Sequence, residues 1–188
     1  MMSYLYRFSL SALAVLLLVL TAPAALAQET VPAPDNRPSP MVAAQLLTDQ
    51  GYAKVMYGSP RMRDRVIFGE LVPYGEVWRT GANEATELTT TTDLKMGDEV
   101  LPAGTYTVYT IPETDQWTVI FSRMVGQWGS YNYDDSMDAL RITVPSMQMD
   151  ESHEAFTIAF EDADGGTQMA MMWEQTKVAV PVEFAGSM

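Results

Sequence analysis

The 188-residue chain contains no cysteine, a single histidine and only three lysines. Without cysteine it has no disulfide framework, no thiol nucleophile and no lipid attached through an N-terminal cysteine. One histidine without cysteines cannot fill a zinc coordination shell. The chain also has neither a phosphate-binding loop nor a dinucleotide fingerprint. We therefore predict no resident metal and no cofactor.

Positive charge is scarce throughout. Lys and Arg number 11 against 24 Asp and Glu, which gives a formal net charge of −13. Binding to a phosphate backbone or an anionic membrane depends on clustered cations that release counterions. We expect no nucleic-acid partner and no attraction to a membrane surface. The composition and net charge do not indicate the oligomeric state.

Only one apolar run approaches the length of a membrane segment, and it lies at the N-terminus. Arg7 precedes the apolar stretch Leu10–Leu20, and a small-x-small site follows at Ala25-Leu26-Ala27. This is the pattern of a secretory signal, and the run is shorter than the roughly 20 residues of a membrane span. We predict a cleaved signal peptide at 1–27 and a periplasmic or extracellular protein with no membrane segment, the alternative being an uncleaved anchor. Residues 28–40 carry four prolines and are expected to form an extended linker.

Residues 41–186 have mostly the two-residue period of β-strands. Trp117, Val119 and Phe121 alternate with polar or outward positions, and turn residues interrupt such runs every 8–12 residues. We predict an all-β fold, an antiparallel β-sandwich or jelly-roll-like domain of about eight strands.

Three local predictions follow from the same pattern. The Thr89–Thr92 run is placed in a strand that ends near Met96. A short turn around Gln175-Thr176 is expected to separate the last two strands. The segment Met41–Leu47 is ambiguous, because its composition favours a helix and its length a strand.

The segment Arg61–Thr86 is predicted to be a long ordered loop. It holds four of the eight arginines of the chain together with several aromatic, Gly and Pro residues. Loops of this length in a compact domain are usually functional or disordered, and the aromatic content argues against disorder. We regard it as the first candidate for a binding site.

Particular side chains of this loop suit a polar ligand. Trp78 and Tyr74 offer flat apolar faces, and Arg79 offers a planar fork for a carboxylate or a sugar hydroxyl. Asn83 and Glu84 add directional hydrogen bonds. The alternative is that Trp78 caps the core and that Arg79 pairs with Glu84 or another carboxylate to fix the loop.

A second aromatic group lies in residues 127–133. Trp128 and Tyr131 flank a glycine and a serine, as in carbohydrate sites where rings stack on sugar faces. The alternative is a loop folded over one end of a sandwich. If both loops lie at the same end, they form one cleft.

Other candidate chemistry is weaker. His153 lies among carboxylates, but no Gly-x-Ser-x-Gly elbow presents a nucleophile, so we interpret it as a solvated loop residue. The acidic stretches at 132–138 and 162–166 lack the full calcium-loop spacing and are interpreted as turns.

The chain resembles a bacterial exported family named domain of unknown function 2911. The resemblance covers roughly residues 40–184 and is carried by RVIFGxLVPYGxxWRTGANEAT from Arg65, LPAGTY from Leu101, WTVIF from Trp117, QWG from Gln127, Asp134 after Tyr133, and Trp173-Glu174. It implies a β-rich fold, favours a strand at Met41–Leu47, and brings no established activity or catalytic residues. One departure is Arg61-Met62-Arg63-Asp64, where a Lys-Gly pair is expected ahead of the arginine, and Asp64 counts against anion binding at this basic spot.

Three functions remain open. The first is binding of a carbohydrate-like or other polar small ligand by Tyr74, Trp78, Arg79, Asn83, Glu84, Trp128 and Tyr131. The second is a hydrolase that uses carboxylates such as Glu84 and Asp134, which requires the two to face each other across a cleft. The third is a cell-envelope interaction module with a large exposed apolar patch. The residues themselves identify no reaction, and they favour a binder over an enzyme.

Overall fold

The alternating pattern folds into antiparallel strands throughout the computed structural model, which describes residues 37–186. The predicted signal peptide and most of the predicted linker lie outside these residues. The nine strands are β1 Met41–Leu47, β2 Tyr52–Gly58, β3 Thr86–Thr90, β4 Leu94–Met96, β5 Glu99–Leu101, β6 Gly104–Pro112, β7 Gln116–Ser122, β8 Asp138–Ala163 and β9 Gly166–Phe184. A single 3₁₀ turn, Asp135–Met137, precedes β8. In this part of the chain no helix is long and apolar enough to cross a membrane.

All nine strands belong to one antiparallel sheet that does not close into a barrel. Its order is β1-β2-β3-β6-β7-β8-β9-β4-β5. The predicted all-β antiparallel class is confirmed, as is the strand at Met41–Leu47. β6 ends at Pro112 and β7 begins at Gln116, so the two strands form a tight antiparallel hairpin.

Two long strands replace four of the predicted short ones, so the prediction of a turn around Gln175-Thr176 is wrong. β9 runs through this point, but its pairing with β8 shifts between Gln148 and His153 and again before Thr157. Glu174 takes a left-handed conformation with φ of 52°. A bulge of this kind breaks the alternation as a turn would, without ending the strand.

The threonine-rich strand also differs from its prediction. β3 ends at Thr90 rather than near Met96, and Leu94–Met96 forms the separate strand β4 on the far side of the sheet order. Thr90 Oγ1 donates to the backbone oxygen of Thr92 at 2.6 Å. This local bond satisfies the hydroxyl and turns the chain away from the ladder.

The sheet bends along β8 and β9 so that its two halves face each other over the core. Tyr57 of β2 packs edge-on against Phe156 of β8, with ring centroids 5.7 Å apart. Just after β2, Ser59 Oγ donates to the backbone oxygen of Phe156 at 2.7 Å. The core between the two halves includes five packed aromatic rings, which we call the aromatic cluster: Phe68, Trp78, Trp117, Phe156 and Trp173.

Candidate functional site

The loop between β2 and β3 is ordered by backbone contacts with strands on both sides of the core. Trp78 exchanges two backbone hydrogen bonds with Thr110 of β6, at 2.8 and 2.9 Å. The Met62 N–H donates to the oxygen of Glu154 on β8 at 2.8 Å. The prediction of a long ordered loop between strands is confirmed. Because both sheet halves hold it, the loop spans the open side of the fold.

Trp78 itself belongs to the core. It is 7% exposed and stacks nearly parallel to Trp173, with ring centroids 5.9 Å apart. Its indole N–H donates to the backbone oxygen of Gly81 at 3.1 Å. The residue therefore caps the core, and only its outer edge can meet a ligand.

A pocket of about 300 Å³, which we call the arginine pocket, opens above Trp78 and Trp173. Apolar atoms of Leu71 and Val72 contribute to its wall, and Asn83 contributes an amide. Its four cationic groups are Arg61, Arg63, Arg65 and Arg79. The pocket thus collects four of the eight arginines of a strongly acidic chain.

None of these four arginines forms an ion pair within residues 37–186. The ion pairs in that part of the chain are Arg37–Glu84, Arg141–Asp138 and Lys177–Glu161. Two of the pocket guanidinium groups instead donate to backbone oxygens. Arg65 reaches Met62 and Arg61 at 2.9 and 2.7 Å, and Arg63 reaches Pro38 at 3.3 Å.

Arg79 is the most buried of the four. Its Nε is buried and has no hydrogen-bond acceptor among the described residues. Burial lowers the pKa of its guanidinium, and Tyr131 opposes this electrostatically. A buried donor without an acceptor is unusual in folded proteins and calls for an explanation such as a ligand or an ordered water.

The two aromatic loops meet through backbone hydrogen bonds, but no residue of 127–133 lines the arginine pocket. The Ala85 N–H donates to the oxygen of Gln127 at 2.9 Å, and the Gly129 N–H donates to that of Asn83 at 3.0 Å. Trp128 and Tyr131 remain 57% and 83% exposed. The structure therefore brings Arg79, Asn83 and the second loop to one side of the molecule.

The chain matches the model of one protein family, described as protein of unknown function (DUF2911), over residues 39–182. The chain belongs to this family. No curated protein and no solved structure matches it. For this DUF2911 protein, family membership adds no reaction or ligand to what its own geometry indicates.

In the DUF2911 protein, neither Glu84 nor Tyr74 lines the arginine pocket. The Glu84 carboxylate pairs with Arg37 at 2.5 Å rather than with Arg79. Tyr74 is 41% exposed and lines a different cavity, below the turn between β6 and β7.

The two carboxylates proposed for hydrolysis both make structural contacts. Glu84 holds Arg37, while Asp134 accepts the backbone N–H and the hydroxyl of Ser136 and so caps the 3₁₀ turn. Those bonds lower the pKa of Asp134, which is fully exposed. A lowered pKa is the opposite of what a general acid requires, so Asp134 does not suit that role.

The remaining candidates have ordinary places in the fold. His153 lies in β8 opposite Glu174 and is half-buried, so it is not a loop residue as predicted. The glycines of the acidic stretch 162–166 close the β8–β9 hairpin, and the stretch enters that hairpin rather than a separate loop. Among residues 37–186, no group of three or more His, Asp or Glu is arranged to hold a metal ion.

Sequence reasoning singled out Arg79 and missed Arg61, Arg63, Arg65 and Trp173 as lining residues. The available signal was the concentration of arginine in one segment of an acidic chain. Spacing gave no help, because Arg63 and Asp64 both take left-handed conformations that turn the backbone sharply.

Proposed function

We propose that this DUF2911 protein is exported and binds a small polar anion in the arginine pocket. The observation that supports the proposal is the convergence of four arginines on one cavity, none of them paired with a carboxylate in the described chain.

Like charges near one another repel, and the protein carries 24 carboxylates that could neutralise them. Arg61, Arg63 and Arg65 are exposed, so water and salt screen most of their repulsion. Arg79 is partly buried and its Nε has no acceptor among the described residues, so it gains most when an anion enters. Guanidinium groups bind carboxylate, phosphate or sulfate oxygens through two parallel hydrogen bonds, which supplies both affinity and geometry.

The pocket also limits the size and character of the ligand. A volume of about 300 Å³ suits a small molecule, at the low end of ligand sites. The edges of Trp78 and Trp173 suit an apolar ring face, and Asn83 suits a hydroxyl or carbonyl group. An acidic sugar or another hydroxylated carboxylate or phosphate fits this lining, with Trp128 and Tyr131 as flanking rings.

Export is the second part of the proposal and rests on the leader pattern at residues 1–27. Expression of the full gene in a bacterium, followed by mass measurement of the protein from the periplasm or medium, tests it. We expect a chain of 161 residues that begins at Gln28. An unprocessed chain in the cytoplasm would contradict export without affecting the anion site.

Binding is tested by thermal shift on that purified protein with phosphate, sulfate, citrate and galacturonate, each against a neutral counterpart at equal ionic strength. A ligand at 100 times its dissociation constant adds about 2.7 kcal/mol of stability, which is readily detected. Arg79→Gln should abolish the anion-dependent shift. Arg123→Gln is the matched control, because it removes the same charge from an exposed residue outside the pocket.

Arg79→Lys separates charge from geometry. It keeps the cation but loses the planar fork, so we expect weaker binding than in the wild type. Equal shifts in the wild type, Arg79→Gln and Arg123→Gln would mean that anions act only through general screening, and the proposal would fail.

A further inference from the structure

A second cavity, which we call the polar cleft, lies on the other side of the wall that bounds the arginine pocket. It has a volume of about 600 Å³. Trp173 lines the arginine pocket while the next residue, Glu174, lines the cleft. Met62 also lines the cleft, whereas its neighbours in the chain, Arg61 and Arg63, line the arginine pocket. The two cavities are neighbours with separate linings.

The cleft exists because β8 and β9 separate locally. Gln148 is paired with Thr176, yet the next pair is His153 with Glu174, so four residues of β8 lie opposite one residue of β9. The left-handed conformation of Glu174 accompanies this bulge. Bulges of this kind re-aim side chains and are over-represented beside active sites.

The lining of the polar cleft is hydroxylic and amidic, and it contains no Lys or Arg. Its groups include the hydroxyls of Ser146 and Thr176, the amides of Gln148 and Gln175, and the carboxylate of Asp115. The side chains of Gln148, Gln175 and Asp115 make no hydrogen bond within the described chain, unlike that of Glu174, whose carboxylate accepts from Ile67 and Phe68. Directional donors and acceptors are thus available without a positive charge.

Tyr74 adds an exposed aromatic ring to the same cleft. The ring lies against Gly69, where an added Cβ would come within 2.9 Å of Cε2 of Tyr74. This contact restricts the ring on one side, while 41% of the residue stays exposed. A restricted and partly exposed tyrosine loses little conformational entropy when a flat apolar face stacks on it.

We propose that the polar cleft binds a neutral saccharide, with Tyr74 stacking on a sugar ring and Asp115 accepting hydrogen bonds from its hydroxyls. A carboxylate accepts from two adjacent hydroxyls, and the glutamine amides both donate and accept, which suits a polyol. The charges of Asp115 and Glu174 disfavour an anion here. The cleft therefore differs in ligand class from the arginine pocket and does not depend on it.

Isothermal titration of the purified protein with cellotetraose, maltotetraose, xylotetraose and mannotetraose tests this inference. We expect at least one of them to bind with a dissociation constant below a few millimolar. Asp115→Asn should weaken that binding by about tenfold, because a charge-assisted hydrogen bond is lost. Tyr74→Ala should weaken it by a similar factor. Spermidine is included as a cationic probe.

Arg123→Gln is the control, because Arg123 is exposed and lines neither cavity, and it should bind the neutral sugar as the wild type does. Arg79→Gln is included to test whether the sugar occupies the arginine pocket instead. Both cleft variants alter exposed side chains, so unchanged melting temperatures will show that they remain folded. The inference is overturned if no tetrasaccharide binds, if both cleft variants bind normally, if Arg79→Gln alone loses the sugar, or if spermidine binds in its place. Loss of sugar binding in Arg79→Gln alone would assign the sugar to the arginine pocket. The other three results leave the anion proposal unaffected.

Discussion

The carboxylate of Glu174 accepts the backbone N–H of Ile67 at 3.0 Å, although the two residues are 107 positions apart in the chain. The Phe68 N–H donates to the second oxygen at 3.3 Å. One side chain of β9 thus satisfies two donors of the long loop. It fixes the loop at the wall between the arginine pocket and the polar cleft.

We expect Glu174→Ala to lower the free energy of unfolding by roughly 1–3 kcal/mol, because it leaves those donors without an acceptor. Urea denaturation followed by tryptophan fluorescence measures the loss. Glu174→Gln keeps one acceptor oxygen and should lose less. An alanine variant as stable as the wild type would show that water replaces the carboxylate.

Gly58 of β2 lies directly against the backbone of the loop at Ala82, whose N–H donates to the Gly58 oxygen at 3.2 Å. A Cβ added there would lie 2.1 Å from the backbone oxygen of Ala82, which lines the arginine pocket. We expect Gly58→Ala to push this segment outward, at a cost of about 1–3 kcal/mol. For a domain of this size, the melting temperature should fall by several degrees. Gly186→Ala is the control, since its added Cβ meets nothing within 4 Å, and it should melt with the wild type.

The Lys177–Glu161 ion pair predicts a stability difference that depends on acid pH. The hydrogen bond from Lys177 at 2.6 Å lowers the pKa of Glu161 from its ordinary value of 4.5, and burial opposes this. The ionised form is therefore the stabilising one. Its contribution is present above pH 4.5 and disappears as the pH falls through the lowered pKa.

Glu161→Gln should be less stable than the wild type by roughly 0.5–1 kcal/mol at pH 7 and equally stable once Glu161 is protonated. Melting curves from pH 7 to pH 3 test this. Glu76→Gln, at an exposed position without a partner among the described residues, should follow the wild type throughout. A constant difference at all pH values would mean that the pair acts by packing rather than by charge.

Tyr133 predicts a loss of stability at alkaline pH. Burial, and next its hydrogen bond to Asp138 at 2.7 Å, raise the pKa of the phenol from 10.0 to about 12, while Arg141 opposes the rise. The protonated phenol is the stabilising form. Its contribution is complete below pH 10 and is lost as the pH rises towards 12.

Tyr133→Phe should cost about 1 kcal/mol at neutral pH and should show a smaller loss between pH 10 and 12 than the wild type. Denaturant titrations across this range measure both effects. The exposed Tyr131→Phe serves as the control and should retain the wild-type profile. Parallel curves for the wild type and Tyr133→Phe would rule out the proposed role of the phenol.

The all-β class could be predicted because strand residues alternate between the two faces of a sheet. Trp117, Val119 and Phe121 are buried in β7, as their spacing indicates, but Ile120 between them is buried as well, in a smaller cluster with Ala85 and Tyr109. The bulge at Glu174 could not be predicted, because it occurs where the Glu174 carboxylate binds a loop more than 100 residues away. The sequence pattern predicts local backbone conformation, whereas the hydrogen bond between Glu174 and Ile67 depends on how the sheet bends.

The candidate site could be predicted only in part from the sequence, for the same reason. Arg79 and Trp78 lie in one conspicuous segment, but Trp173 meets them only after the two sheet halves pack together. Of the polar cleft, the sequence pointed only to Tyr74. Gln148, Gln175 and Asp115 are ordinary polar residues of three different segments, and they share a cavity only through the bulged pairing of β8 and β9.

The stacking of Trp78 on Trp173 also has a consequence for the order of folding. Synthesis begins at the N-terminus, so the loop with its arginines is complete while its floor is still missing. Contacts that close chain segments of about 100 residues form slowly. Until the last strand arrives, the newly made loop is exposed to proteases. A protein cut short before β9 should therefore be degraded rather than accumulate as a partial binder.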